Sequence, residues 1–337
     1  MLEDTILNEE KIKEILKEKY FILVRKVKKI NRGSANIYVI NEDEYVLKEF
    51  QTEISKEDIN KEVEVINYLR KKNFKVPEYI KTKDDKDSIL YHNKIIILQR
   101  FIQGYTMEAN AGNYEQVMES ATYLGKLVNL LENFPSKLPV KKVSNWCSSA
   151  AIKKAIIRHK DLLVKAEKMG EERIIDDLKD KIVMLEGIDQ TRLDVFNKLS
   201  LMNSHGDYSV MQFIYQNGKI TAIIDFIKVC KMPVVWEIIR SYSYIDKDAV
   251  TGKINTSHLC DYVKNVMKKV KLNDSDLKYM VRFYLIQLLE STYGYKQYLD
   301  DKKKIDLLQF GFYRTQLCRY LKENDKEITT ELMNLNY

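Results

Sequence analysis

With 337 residues, the chain is longer than one ordinary hydrophobic core requires, and it suits two lobes or domains. Hydrophobic residues make up 45% and charged residues 31%, which excludes a largely disordered chain. The net charge of +7 comes from basic residues interleaved with acidic ones, a pattern that indicates a solvated surface rather than a nucleic-acid-binding face.

Two further classes are excluded by what the sequence lacks. No apolar run approaches the roughly 20 residues that span a bilayer, and the charged N-terminus has no signal-peptide segment, so we expect a cytoplasmic protein without a membrane partner. The cysteines lie far apart and form no C-x-x-C pair, and the histidines are equally dispersed. A zinc ribbon, a disulfide scaffold and a dedicated His/Cys metal site are therefore not expected.

The first third of the chain is predicted to be a β-sheet with one internal helix. Residues 8–19 form an amphipathic helix, and 21–50 hold three antiparallel strands separated by turn residues. Ser55 and Asp58 form a capping box at the start of the next helix. Residues 88–104 add two more strands, which makes a five-stranded sheet. We place the first lobe at residues 1–102.

The remainder, residues 103–337, is predicted to be mainly helical. Residues 114–134 form a helix with an apolar stripe, and 148–198 contain two long charged helices. The stretch "SHGDYSVMQFIYQNGKITAIIDF", residues 204–226, interrupts them as a β-hairpin, because Asn217 and Gly218 can adopt positive φ at low cost. The expected fold class is therefore α+β, with a β-rich lobe before a larger helical one.

Two acids of this segment flank the strands of the hairpin: Asp207 precedes the first strand, and Asp225 lies at the end of the second. We expect the hairpin to bring the two carboxylates together. One could accept the proton of a hydroxyl group while the other holds Mg²⁺ on a nucleoside triphosphate, which is the chemistry of phosphoryl transfer.

The pattern "HGDYSVMQFIY…AIIDF" resembles the catalytic and metal-binding segment of the aminoglycoside phosphotransferase and choline kinase superfamily, which includes spore-coat kinase-like proteins. The resemblance implies a bilobal protein-kinase-like fold whose helical lobe carries the catalytic hairpin. It also implies that Asp207 is the catalytic base and that Asp225 chelates magnesium. The sequence departs from the family pattern at Gln212, where the family has an Asn that binds a second metal ion.

The same resemblance assigns nucleotide-binding roles in the first lobe. Lys48, in "YVLKEF", matches the phosphate-binding lysine, and Glu62 on the following helix is its expected partner, with Glu64 as the competing choice. Gly33 and Ser34 lie in a loop that takes the place of the glycine-rich loop over the phosphates, although it has one glycine rather than three.

Three further positions follow from the segment "IIILQRFIQG" and one from "PVVWEIIRSY". Gln99 corresponds to the gatekeeper between the lobes, and the backbone of Arg100 and Ile102 corresponds to the part that binds the purine edge. Glu237 corresponds to an acid that braces the catalytic loop from behind without doing chemistry.

These assignments predict a Mg²⁺-dependent phosphotransferase that moves the γ-phosphate of ATP or GTP to a hydroxyl of a small molecule resembling an aminoglycoside, choline or a sugar. The alternative is a catalytically impaired pseudokinase with a structural role, for example in a spore coat, which Gln212 and the glycine-poor loop would favour. Lys228 and Lys231 favour a neutral or anionic acceptor, whereas Glu290, Asp300 and Asp301 could line a pocket for a cationic one.

Overall fold

The computed structural model of the chain describes residues 3–30 and 35–336. The strands are β1 (Val27–Ile30), β2 (Asn36–Ile40), β3 (Tyr45–Glu49), β4 (Tyr79–Ile80), β5 (Ile89–Tyr91), β6 (Lys94–Arg100), β7 (Leu201–Ser204), β8 (Phe213–Gln216), β9 (Lys219–Ile223) and β10 (Cys230–Pro233). The helices are α1 (Glu9–Tyr20), α2 (Lys56–Lys71), α3 (Tyr114–Glu132), α4 (Ser149–Lys168), α5 (Glu172–Glu186), α6 (Val234–Ile245), α7 (Thr256–Met267), α8 (Asp274–Glu290), α9 (Tyr295–Asp300) and α10 (Ile305–Met333). The α+β fold class, with a sheet first and a larger helical region after it, is confirmed.

The chain divides into two compact units. Unit 1 comprises Met1–Met107, Phe134–Lys137 and Gln212–Val229, and unit 2 comprises Glu108–Asn133, Leu138–Met211 and Cys230–Tyr337. The predicted boundary between residues 102 and 103 stays a prediction, since it treats each lobe as one continuous segment. The β8–β9 hairpin, which we expected in the helical lobe, belongs to unit 1 because its contacts are mainly with that unit.

Unit 1 is built on a six-stranded antiparallel sheet in the order β1-β2-β3-β6-β4, with β5 also pairing to β6. The expected five strands are therefore one too few. The additional strand, β4, places Tyr79 opposite Gln99 and Ile80 opposite Leu98. Two residues are too short to show the alternating pattern that identifies a strand in sequence.

The two helices of unit 1 follow the patterns that predicted them. Buried side chains of α1 pack with those of β2, β3 and β6 in one core cluster. In α2, Ser55 caps the N-terminus and exchanges hydrogen bonds with Asp58, so the predicted capping box is confirmed. The buried face of α2 carries Glu62 among apolar residues.

Unit 2 is a helical assembly around α8, which packs against α10, α6, α4 and α5. A small antiparallel sheet, β7 with β10, places Ser204 opposite Cys230. The segment from residue 205 to Met211 that contains Asp207 therefore starts from a strand paired within the same unit. No helix in residues 3–30 and 35–336 is long and apolar enough to cross a bilayer.

One histidine of unit 2 is buried without a charge partner that would favour its protonation. His159 on α4 has no exposed surface, and its Nδ1 lies 2.8 Å from the carbonyl oxygen of Ala155, while its Nε2 has no hydrogen-bond partner. Burial lowers the pKa of His159 from 6.5 to about 3, and the nearby ammonium of Lys181 acts in the same direction.

Because the folded state keeps His159 neutral while the unfolded state protonates it, this residue contributes stability above pH 6.5 that is lost as the pH falls toward 3. Between pH 7 and pH 5 we expect His159 to lower the free energy of unfolding by about 2 kcal/mol. In His159→Leu, urea unfolding should therefore show a smaller loss over this interval than in the wild type. The exposed His92, changed to Asn, is the control; an equal effect of both substitutions would contradict the prediction.

Candidate active site

Lys48 and Glu62 are brought into the interior of unit 1. Lys48 lies on β3, opposite Ile37 and Ile97, and is only 7% exposed. Glu62 on α2 has no exposed surface, whereas the competing Glu64 is exposed and contacts the Ser136 hydroxyl. The choice of Glu62 as the inward-facing acid therefore agrees with the burial.

The two oxygens of the Glu62 carboxylate differ in their hydrogen bonding. Its Oε1 accepts a bond of 3.1 Å from the backbone N–H of Phe226, while Oε2 is buried and accepts no hydrogen bond of normal geometry. The Tyr79 hydroxyl also interacts with this carboxylate and lowers its pKa. Burial raises the pKa of Glu62 to about 7; the Lys48 ammonium lowers it and the Asp225 carboxylate raises it further. Lys48, Glu62 and Asp225 therefore form one electrostatic cluster.

In the described part of the chain no direct ion pair joins Lys48 to Glu62. The Lys48 ammonium acts on Glu62 electrostatically, by lowering the pKa of its carboxyl group, and not through a hydrogen bond. The expectation that Glu62 holds the ammonium in place stays a prediction, and Oε2 is the atom available for it.

Asp225 and Gln212 lie beside each other at the open end of the β8–β9 hairpin. The backbone N–H of Ile224 donates to the Gln212 carbonyl at 2.9 Å, which brings the residue before Asp225 to Gln212. Asp225 has φ of 67°, in the left-handed region. This conformation costs an L-residue roughly 1–2 kcal/mol, and such strain is concentrated at functional sites. Both predicted metal ligands are thus positioned by one hairpin.

Asp207, in unit 2, is held by an arginine that the sequence analysis did not identify. The Arg240 guanidinium donates to Asp207 Oδ1 at 2.6 Å and to the Tyr208 carbonyl at 3.1 Å. It also stacks over the rings of Trp236 and Tyr244, at 5.0 and 5.1 Å from their centroids. Arg240 is therefore fixed by contacts on several sides, and it fixes the Asp207 carboxylate in turn.

A signal for Arg240 was present in the sequence. The segment "VVWEIIRSYSY" has two charged residues among mainly apolar and aromatic ones, and a charge on such a helix needs a partner because burying it alone is costly. The partner is 33 residues away in the chain, so its identity could not be read from local spacing.

Glu237 braces the loop that carries Asp207, as expected. This fully buried carboxylate accepts a hydrogen bond of 2.9 Å from the Tyr208 N–H through Oε1, and one from the Ser204 hydroxyl through Oε2. The Asp207 N–H donates to Nδ1 of His205 at 3.3 Å. The residues on both sides of Asp207 are therefore tied to the interior of unit 2.

The residues expected at the nucleotide base lie at the end of β6. Gln99 is buried and its Oε1 has no hydrogen-bond partner. The N–H of Arg100 donates to the Glu78 carbonyl at 2.8 Å, and the expectation that the Arg100 backbone contacts the purine edge stays a prediction. The N–H of Ile102 has no hydrogen-bond partner among the described residues. The predicted Gly33 and Ser34 lie outside the described residues.

Gly104 joins this segment to the hairpin. Its φ is 143°, and a Cβ at this position would lie 2.3 Å from the Tyr215 carbonyl oxygen. The next residue, Tyr105, exchanges two backbone hydrogen bonds with Tyr215, of 2.9 and 2.8 Å. Only glycine fits this approach, so the chain after Ile102 is anchored directly to β8.

The three acids proposed for a cationic acceptor differ in their surroundings. Asp300 is paired with Lys165 at 2.5 Å. Glu290 is 9% exposed, and burial raises its pKa to about 7, although the Arg158 guanidinium opposes this shift. Asp301 accepts a hydrogen bond from the N–H of Lys303. The expectation of an acidic pocket made by these residues stays a prediction.

Comparisons with known proteins agree with the fold. The family described as the phosphotransferase enzyme family matches residues 26–253. No curated protein matches the chain. Among solved structures, the amicoumacin kinase hAmiN in complex with AMP-PNP, Ca²⁺ and Ami is 14% identical with a TM-score of 0.59, covering 95% of this chain and 94% of that chain.

Two other structures are similar over nearly their whole length. The microcompartment-associated aminopropanol kinase is 12% identical with a TM-score of 0.61, covering 96% of this chain and 100% of its own. The GDP complex of aminoglycoside 2'-phosphotransferase-IIIa is 17% identical with a TM-score of 0.57, covering 92% and 97%. At these identities the similarity establishes the fold.

Proposed function

Since the chain belongs to the phosphotransferase enzyme family, we propose that it transfers the γ-phosphate of a magnesium-bound purine nucleotide to a hydroxyl group of a small molecule. The observation that carries this proposal is the cluster of Lys48, Glu62 and Asp225 inside unit 1. A buried cation is costly unless it has a partner or serves a ligand.

In the proposed reaction, unit 1 supplies the groups that bind the nucleotide. The Lys48 ammonium contacts the phosphates, and Glu62 positions it through Oε2. Asp225 and the amide oxygen of Gln212 would hold Mg²⁺, since carboxylate and amide oxygens are suitable ligands for this ion. When bound there, the ion would supply positive charge to balance the charge that develops on the transferred phosphoryl group. The unoccupied N–H of Ile102 and the Gln99 amide are the candidates for contacting the base.

Unit 2 supplies the group that acts on the acceptor. Asp207 orients the hydroxyl and accepts its proton as the bond from the hydroxyl oxygen to the γ-phosphorus forms. The bond from that phosphorus to the β,γ-bridging oxygen breaks in the same step, and the nucleoside diphosphate leaves. Arg240 is proposed as a positioning residue, because its guanidinium donates to Asp207 Oδ1 at 2.6 Å and so fixes the orientation of the carboxylate. Glu237 holds the loop in place from the interior.

The role of Arg240 can be tested by the pH dependence of turnover, which a purely structural residue would not change. In Arg240→Lys the charge is kept but the forked hydrogen bonding is lost, so we expect turnover to fall roughly tenfold to a hundredfold with little change in nucleotide affinity. In Arg240→Gln the positive charge is also lost. Ionised Asp207 is then less favoured, and the acidic limb of the pH–rate profile should move to higher pH. Equal profiles for Arg240→Gln and the wild type would contradict this role.

The proposed function itself is tested by thermal unfolding with ATP or GTP, each with and without Mg²⁺. At a nucleotide concentration one hundred times Kd, binding should stabilise the protein by about 2.7 kcal/mol. We expect this gain to require Mg²⁺ and to disappear when Lys48 is changed to Met. If neither nucleotide gives a Mg²⁺-dependent shift, the phosphotransfer proposal is contradicted and the alternative, a pseudokinase with a structural role, is favoured.

If the shift is observed, a screen of hydroxyl compounds for acceptor-dependent nucleoside diphosphate release identifies the acceptor.

A further inference from the structure

A cavity of about 520 Å³ lies within unit 2, apart from the residues of the proposed reaction. It is formed by α5, α8, α10 and the segment of residues 190–198. Its volume is in the range that binds small organic molecules. The apolar side chains that line it are Met184, Ile188, Leu193, Val195, Phe196, Leu285, Ile286 and Leu289.

The charged side chains around the cavity are not balanced. They comprise four cations and two acids, namely Arg192, Lys278, Arg282, Lys322, Asp189 and Asp325. Both acids are already paired, Asp189 with Arg192 at 3.1 Å and Asp325 with Arg282 at 2.7 Å.

The positive charges of Lys278 and Lys322, at the edge of the cavity, are not balanced by a carboxylate of the described residues. Neither Lys278 nor Lys322 has a carboxylate partner in the described part of the chain, and Lys278 lies over the ring of Tyr279 at 5.5 Å. An anion bound beside either lysine would gain attraction without displacing an existing ion pair. The edge of the cavity therefore favours a negatively charged group.

The cavity wall is held by contacts that do not require a ligand. Phe196 packs against Tyr279 and Phe283, with ring centroids 5.9 and 5.5 Å apart. Just after residues 190–198, the backbone N–H and hydroxyl of Ser200 both donate to Asp276 on α8, at 2.8 and 2.6 Å. A preformed apolar wall loses little conformational entropy when a ligand binds.

We propose that this cavity is a second binding site, which takes an amphipathic anion: an apolar body in the cavity and a carboxylate, sulfate or phosphate at the Lys278 and Lys322 ammonium groups. The site uses none of the residues of the proposed phosphotransfer reaction. It stands or fails separately from that proposal.

The test uses calorimetric titration of the full chain with three probes of equal chain length, decanoate, decylammonium and decyl maltoside, below their micelle concentrations. We expect decanoate to bind at one site and the other two to bind at least tenfold more weakly. Val195→Trp, which fills the cavity from a half-buried position, should abolish decanoate binding, whereas Val164→Trp on the exposed side of α4 should not.

The charge requirement is tested with the double variant Lys278→Gln and Lys322→Gln, which should weaken decanoate binding about tenfold. The matched control removes an exposed lysine on α7 and another directly after that helix, Lys264→Gln and Lys268→Gln, and should leave binding unchanged. Thermal unfolding confirms that each variant is folded. No decanoate binding, equal binding of all three probes, or binding that survives Val195→Trp would each overturn the proposal.

Discussion

Asp207→Asn should reduce acceptor-dependent release of nucleoside diphosphate by roughly a hundredfold to ten-thousandfold, the range typical for loss of a general base. The amide keeps the size of the carboxylate and can still contact Arg240, but it cannot accept the hydroxyl proton. Nucleotide affinity should change little, because Asp207 contributes to the acceptor side of the proposed reaction. Stopped-time assays of diphosphate release and Mg²⁺–nucleotide titrations give the two measurements.

The matched control for this substitution is Asp194→Asn in the same unit. Asp194 is exposed, and it accepts a long hydrogen bond of 3.5 Å from the Asn197 side chain. The Asp194→Asn substitution should therefore leave both turnover and nucleotide affinity unchanged. If Asp207→Asn keeps wild-type turnover while remaining folded, Asp207 is not the base and the proposed reaction has to be assigned to another residue.

Asp225→Asn should lower turnover by roughly a thousandfold and remove most of the Mg²⁺-dependent thermal stabilisation by nucleotide. The physical reason is the loss of the negative charge that holds the metal ion, whose charge neutralisation contributes several kcal/mol to such reactions. Asparagine also tolerates the left-handed backbone conformation observed at this position, with φ of 67°, so the hairpin should keep its structure.

This substitution has a second consequence that does not depend on activity. The Asp225 carboxylate raises the pKa of Glu62, so its removal should bring that pKa down from about 7. Titration of the Glu62 carboxyl signal by NMR in the absence of nucleotide measures the change. If Asp225→Asn retains Mg²⁺-dependent stabilisation while the pKa of Glu62 falls as expected, the cluster exists but Asp225 does not bind the metal.

The structure also bears on the acceptor. Arg240 is a positively charged group in direct contact with Asp207, and Asp300, one of the acids considered for a cationic acceptor, is paired with Lys165. A guanidinium beside the proposed base repels an ammonium group and attracts an oxyanion. This favours testing neutral and anionic hydroxyl compounds first in the acceptor screen.

Local sequence patterns were sufficient for much of the architecture. The Ser55 and Asp58 capping box, the helical spacing of residues 114–134 and the turn at Asn217 and Gly218 each depend on residues a few positions apart, so the helices and the hairpin could be predicted. The two-residue strand β4 could not, because it is formed by pairing with β6 rather than by a preference of its own.

The sequence by itself determined which residue types are available for phosphoryl transfer and in which order they occur. Only the tertiary structure decided that Glu62 rather than Glu64 is buried, that Lys48 approaches it without an ion pair, and that Arg240 holds Asp207. The physical reason is that burial and charge pairing depend on groups far apart in the chain. The spacing of residues in the sequence constrains which way a side chain points. The pKa of that side chain and its interaction partner depend on the residues that pack against it in the folded protein.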